Sequence, residues 1–346
     1  MEDYFSSCVQ CPRTCSVSRS QNKTGFCRET SKVKIALACL HFGEEPLVTV
    51  FGGSGTIFFT GCTLRCSFCQ NYQISQNSMG KEISKEEFVK ICLALQENGA
   101  ENINLVTGSH FIPKLALFIE EAVKSGVEIP FCWNSSAYES TEMLELLKDK
   151  VKIWLPDLKT LSPELSKKLF DAENYPEAAT KSIKWMIDNF PLKFSTEKAK
   201  KDFYDSEGKL ITKNTKKEKI QQGVIIRHLY LPGKFEETAE TLSWLKENAD
   251  KKSCISLMSQ YTPVPFEEDK ETLENRKKSL SFIENRLVNK TEDSDLKDLI
   301  DAFDFEYLFY QELTDDTSWL PDFRKKQPFS NKLSKTIWHW KTGFEI

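Results

Sequence analysis

Residues 61–71, GCTLRCSFCQN, place Cys62, Cys66 and Cys69 within one short stretch. Three thiols are too few for a structural zinc site and too many for a disulfide. Four thiolates normally close a 4Fe-4S cluster. With three, one iron keeps an open position that a small molecule carrying an amine and a carboxylate can chelate, and the methionine end of S-adenosylmethionine carries both. A low-potential cluster held that close can pass one electron to the sulfonium. The C–S bond then breaks homolytically, and the 5′-deoxyadenosyl radical so formed can take an unactivated hydrogen. The protein's share of such chemistry is to position the parts and shield the radical.

A second group, Cys8, Cys11, Cys15 and Cys27, follows C-x2-C-x3-C-x11-C. Four thiolates can close a tetrahedral zinc or saturate a second 4Fe-4S cluster, so a fold-stabilising zinc, an electron relay and a partner surface all stay open. The x3 spacing departs from the ferredoxin C-x2-C-x2-C pattern and tilts the expectation toward zinc. So small a segment could scarcely fold without a metal. The other four of the 11 cysteines, Cys39, Cys92, Cys132 and Cys254, stand alone among apolar neighbours and read as small buried hydrophobes.

The elements that must position these groups alternate. "KVKIALACL" (32–40) alternates like a strand, and a turn-rich link, "EEPLVTVFGGSG", leads to the short strand "TIFFTG", which Cys62 follows at once. A helix follows from Ser84, with Glu87 closing a capping box and Gly99 past its end. Strands are then expected at 102–108, 129–136, 151–160, 223–233 and 253–263, with helices between them and a long helix near 270–288; "FEYLFYQE" suits one more strand. Near-continuous apolar strands in βα repeats imply a parallel sheet covered by helices, doubly wound or barrel-like. The lysine-rich stretch 193–219 reads as an exposed insertion.

At this level the chain resembles the radical S-adenosylmethionine superfamily, where C-x3-C-x-Φ-C supplies the cluster ligands. Within it, the chain resembles uncharacterised iron–sulfur proteins related to pyruvate formate-lyase activating enzyme. The segments that carry the narrower likeness are "HFGEEP", "GSGTIFFTGCTLRCSFCQNYQIS", "NLVTGSHF", "WNSSAYE", "LPDLKT", "RHLYLPG", "SLMSQYTP" and "WLPDF". The resemblance implies a partial (β/α)6 TIM-like barrel with a small Cys-rich N-terminal module. Its expected boundaries are a head at 1–31, connecting strands at 32–55, a core at 56–315 and a C-terminal extension at 316–346. It also implies that Phe68 lies beside the cofactor adenine. Thr107, Gly108 and Ser109 stand where the superfamily's G-G-E meets the methionine amine, though the G-G-E itself is missing. Asn134 and Ser135 correspond to ribose positions. Asp157 and Lys159 match an Asp-Leu-Lys near the cofactor. Arg227 and His228 match a strand facing cofactor or substrate, and Gln260 and Tyr261 end the sixth strand at the same mouth.

Composition adds boundaries of its own. A net charge of −4 over 346 residues gives no sign of a nucleic-acid or membrane-surface protein. The first residues lack the basic-then-apolar order of a signal peptide, and no apolar run is long enough to span a bilayer, so a cytoplasmic protein with reduced thiols is expected. The resemblance implies an activating enzyme that abstracts a hydrogen from a glycine of a protein partner, fed by a low-potential donor such as flavodoxin or ferredoxin. Radical chemistry on a small molecule or another macromolecule is the alternative. A non-catalytic iron–sulfur or zinc module is the reading from a different class.

Overall fold

The computed structural model describes residues 3–200, 202–204, 209–314, 317 and 319–345. β1 (Lys34–His41) and β2 (Gly53–Phe59) pair antiparallel, and from β2 onward the chain winds a parallel sheet. α1 (Lys85–Glu97), α2 (Ile112–Lys124) and α3 (Thr141–Glu145) alternate with β3 (Ala100–Val106), β4 (Phe131–Ser135) and β5 (Ile153–Pro156). α4 (Pro163–Phe170) and α5 (Tyr175–Asn189) follow, then β6 (Lys193–Lys198) and β7 (Lys216–Leu229). α6 (Phe235–Asn248), β8 (Cys254–Met258), α7 (Lys270–Leu280), α8 (Lys290–Phe303) and β9 (Leu308–Gln311) complete the winding. β10 (Ser334–His339) returns antiparallel to β1.

Strands β2, β3, β4, β5, β7, β8 and β9 are neighbours in that order and all parallel. β9 ends one side and β1 with β10 flank the other, so the sheet forms an open, partial barrel. The expected α/β fold is the one observed. α1 begins at the expected capping box, where Ser84 Oγ accepts from Glu87 N, and Gly99 takes φ +91° just past its end. Cys39, Cys92, Cys132 and Cys254 are all fully buried, as their apolar surroundings implied.

Two expectations change, and the C-terminal extension gains a strand. The single helix expected over 270–288 stops at Leu280. Asn289 then caps α8, accepting the N–H groups of Thr291 and Glu292. The stretch 193–219 is not a plain loop: β6 pairs antiparallel with the first half of β7, Phe194 opposite Ile220. Its Lys219 is not solvated but bonds Glu101 at 2.8 Å with only 12 % of its side chain exposed. The C-terminal stretch adds a strand to the sheet, because Ile337 and Trp338 bury against the same core as β1. Among the described residues, no helix is long and apolar enough to cross a membrane.

Candidate metal and cofactor site

Cys62 lies three residues beyond β2. The chain reaches it through Gly61 at φ +83°, where any side chain would collide with Glu29 and with Cys27 O, 2.8 Å from an added Cβ. Cys62 and Cys66 are buried and Cys69 is half-buried. Cys62 Sγ accepts from the N–H groups of Leu64 (3.3 Å) and Arg65 (3.5 Å), the latter in the left-handed region at φ +55°. The loop between them is clamped: Ser67 N donates to Leu169 O at 2.8 Å and Gln76 Nε2 to Cys66 O at 2.9 Å. Arg276 Nη1 donates to Ser67 O at 2.8 Å.

Next to the thiols stands a charged array. Lys159 Nζ bonds Asp157 at 2.9 Å, and Arg227 bonds the same carboxylate at 2.7 Å. Arg227 Nη2 also donates to Asn134 Oδ1 at 2.6 Å, so β4, β5 and β7 are tied at their C-terminal ends. Burial alone would raise the Asp157 carboxyl, but the Arg227 and Lys159 charges outweigh it and hold it below the ordinary carboxylate value. Burial pushes the Cys66 thiol up, while the Lys159 charge favours its thiolate. Burial and the neighbouring thiol Cys69 likewise raise Cys62, against its backbone hydrogen bonds.

The structure therefore brings Asn134, Asp157, Lys159 and Arg227 together beside Cys62 and Cys66. Phe68 packs near Tyr261, ring centroids 6.3 Å apart. Thr107 takes φ +63° and donates its N–H to Asn134 O at 2.9 Å. Gly108 has no room for a side chain, since an added Cβ would stand 2.8 Å from Leu115 and 2.9 Å from Trp133. Ser109 is buried and bonds Glu139, and Ser135 Oγ accepts from Ala137 N at 3.2 Å.

Three expected residues turn to other partners. His228 follows Arg227 and so points to the opposite face of β7. Its ring nitrogens engage Leu158 O at 2.7 Å and Thr238 Oγ1 at 2.9 Å, and burial lowers its pKa to about 4, so it is a neutral strut against α6. Gln260 is turned to Glu312 O at 3.3 Å, and Tyr261 bonds Asn285 at 2.6 Å.

Other members were not singled out from the sequence. Glu44 and Glu45 come from the link between β1 and β2, whose Leu47 and Val48 pack inside the barrel against Cys132, Ile153 and Ile225. Glu44 lies 3.8 Å from Arg227 and is bonded by Asn104. Burial, opposed by Arg227, raises Glu45 to about 7. Two adjacent acids inside an otherwise apolar link were the available signal.

Residues 56–196 match the family model described as the Radical SAM superfamily. Over those residues the chain is similar to that superfamily. Proteins of that superfamily use a 4Fe-4S cluster and S-adenosylmethionine. An uncharacterized protein of Methanocaldococcus jannaschii is 28% identical over 270 residues, spanning 76% of this chain and 68% of its own. Among solved structures, SuiB from Streptococcus suis bound to S-adenosylmethionine is 15% identical over 73% of this chain and 45% of its own, with TM-score 0.42. Methylornithine synthase is 12% identical over 74% of this chain and 70% of its own, TM-score 0.45. A domain of pyruvate-formate lyase-activating enzyme from Bacteroides vulgatus is more distant: 9% identity, 57% and 90% coverage, TM-score 0.35.

The donor set at Cys62, Cys66 and Cys69 fits a 4Fe-4S cluster. Among the described residues, no three cysteine, histidine or acidic side chains are grouped to hold one metal ion. A cube needs no such point of convergence, because it spreads its thiolates over separate irons. Buried thiols that repel one another, with two backbone N–H groups aimed at Cys62, suit a cationic centre that takes them as thiolates.

Proposed function

We propose that Cys62, Cys66 and Cys69 hold the cluster and that the protein cleaves S-adenosylmethionine reductively to abstract a hydrogen from a glycine of a protein partner. The observation that carries the reading is the Asp157–Lys159 pair, 2.9 Å apart, with the Lys159 charge acting on Cys66. When bound, the cluster supplies one electron to the sulfonium, giving methionine and a 5′-deoxyadenosyl radical; the electron comes from a low-potential donor of the flavodoxin or ferredoxin class.

The chain's own residues bind and orient. Asp157 offers a carboxylate to the methionine ammonium, and Lys159 offers an ammonium to its carboxylate. Arg227 holds Asp157 in place, and Asn134, fixed by Arg227, is available to a ribose hydroxyl. Phe68 provides an aromatic face for the adenine. The activating role rests on the series of segments from "HFGEEP" to "WLPDF" in the sequence.

The test uses anaerobically reconstituted, dithionite-reduced protein. It is expected to release 5′-deoxyadenosine and methionine, and Cys66→Ala to release neither; cleavage by Cys66→Ala at the wild-type rate overturns the cluster assignment. Cell extract labelled with α-deuterated glycine is then added. Deuterium in 5′-deoxyadenosine from the macromolecular fraction supports a protein glycine, and deuterium only from the small-molecule fraction refutes it.

A further inference from the structure

The head is built around thiols in place of an apolar core. Between residues 3 and 31 the only buried apolar side chains are Phe5, Cys8 and Cys27, while Gln10, Arg19 and Glu29 are buried beside them. Its path is a run of tight turns, with Thr14, Ser16, Asn22 and Arg28 all at positive φ. Hydrophobic burial on this scale is far too small to hold such a path.

Cys8, Cys11, Cys15 and Cys27 line one small cavity, together with His110 and Gln10. Donors aim at the sulfurs: Phe26 N lies 3.4 Å from Cys15 Sγ, and Arg19 Nη1 lies 3.8 Å from Cys8 Sγ. Gly25 permits the first approach, since an added Cβ would stand 2.9 Å from Cys15 Sγ. Two polar atoms at this cavity are buried with no partner, His110 Nδ1 and Gln10 Oε1. His110 Nε2 faces Thr60 O at 2.7 Å, a carbonyl that only accepts, so Nε2 carries the proton and Nδ1 presents a free lone pair. Burial keeps the ring neutral, with its pKa lowered to about 3.

The cavity backs onto the loop that delivers Cys62. Thr63 is part of its lining, and Arg13 Nε donates to Thr63 O at 3.0 Å. Arg19 Nη1 donates to His110 O at 2.6 Å, and Cys27 O presses against Gly61.

We propose that Cys8, Cys11, Cys15 and Cys27 close a second metal centre, distinct from the three-cysteine site, which staples the head to the Gly61–Thr63 turn. The ligand class is a four-iron cluster, since among the described residues no three of these side chains are grouped to hold a single metal ion and a cube spreads its thiolates over separate irons. Four thiolates leave no open position, so the centre binds no substrate. His110 and Gln10 stand at its edge, with His110 Nδ1 and Gln10 Oε1 unpartnered.

The test does not depend on the proposed activity, because it removes the catalytic cysteines. The chain carrying Cys62→Ala, Cys66→Ala and Cys69→Ala is purified anaerobically, in one arm with zinc and in the other after reconstitution with iron and sulfide. Metal analysis is expected to give about four irons per chain in the iron arm; about one zinc per chain with no iron would overturn the cluster. Adding Cys11→Ser and Cys27→Ser is expected to drop the iron at least tenfold and to open residues 3–31 to protease. Absence of stoichiometric iron, or iron undiminished by Cys11→Ser and Cys27→Ser, overturns the proposal. Should the multiple variants fail to fold, Cys11→Ser alone in the otherwise unchanged chain is compared with wild type. Loss of about half of eight irons supports the centre; an unchanged iron content overturns it.

Discussion

Arg276 on α7 donates to the carbonyl of Ser67 at 2.8 Å, inside the cysteine loop, across 209 residues of sequence. The same guanidinium bonds Gln76 Oε1 at 3.2 Å and Glu268 at 2.7 Å, and it stacks 3.9 Å from the Phe266 ring centre. Both partners of the Arg276–Glu268 pair are almost fully buried, with side chains 6% and 4% exposed. A helix from the far end of the chain thus fixes the loop that presents all three thiols.

Arg276→Ala strands Glu268 in a buried site and frees Ser67 O. Removing one partner of such a pair costs about 3–5 kcal/mol, read as a lower urea midpoint. The loosened loop is expected to lose reconstituted iron faster to a chelator. Arg276→Lys is expected to recover little of either, since one ammonium cannot span Ser67, Gln76 and Glu268 in a planar fork. Full recovery by lysine would reduce Arg276 to a simple counter-charge.

Asp157 is shared by two cations, so its charge matters before any ligand arrives. Asp157→Asn keeps the shape and removes the charge. Affinity for S-adenosylmethionine is expected to fall by about 1–3 kcal/mol, the range of a charge-assisted contact, with iron content unchanged. Calorimetry on the anaerobic protein measures both the affinity and its loss. An unchanged affinity would mean that Asp157 serves only to pin Lys159 and Arg227.

Glu45 gives a pH signature. Burial outweighs the Arg227 charge and raises its carboxyl from 4.5 to about 7. Between those values the unfolded chain has released the proton and the folded chain still holds it, so stability falls as pH rises from about 4.5 to 7 and the loss persists above. Glu45→Gln removes that loss. It is expected to unfold at higher urea than wild type at pH 8, by on the order of 2 kcal/mol, and at the same urea at pH 4. Equal midpoints at both values would place the Glu45 carboxyl in water.

Much of the design was legible in local sequence because local physics set it. The spacing of Cys62, Cys66 and Cys69 and the apolar runs of β2, β3, β4, β5, β7 and β8 depend on neighbours a few residues away. So does the capping box at Ser84 and Glu87. The strand ends at Asn134, Asp157 and Arg227 followed from the rule that polar residues after apolar parallel strands face the mouth. His228 sat in the same motif, yet strand alternation turns it toward Leu158 and Thr238, and only the register of β7 decides which neighbour looks inward.

Tertiary structure decided the rest. Glu44 and Glu45 enter the barrel because Leu47 and Val48 fill its interior, and Arg276 reaches Ser67 because α7 folds back over the cysteine loop. His110 joins the head thiols because the head docks behind Gly61. None of these contacts has a period or spacing to read. Each is made by segments distant in sequence whose buried polar atoms find partners only when the sheet closes around them.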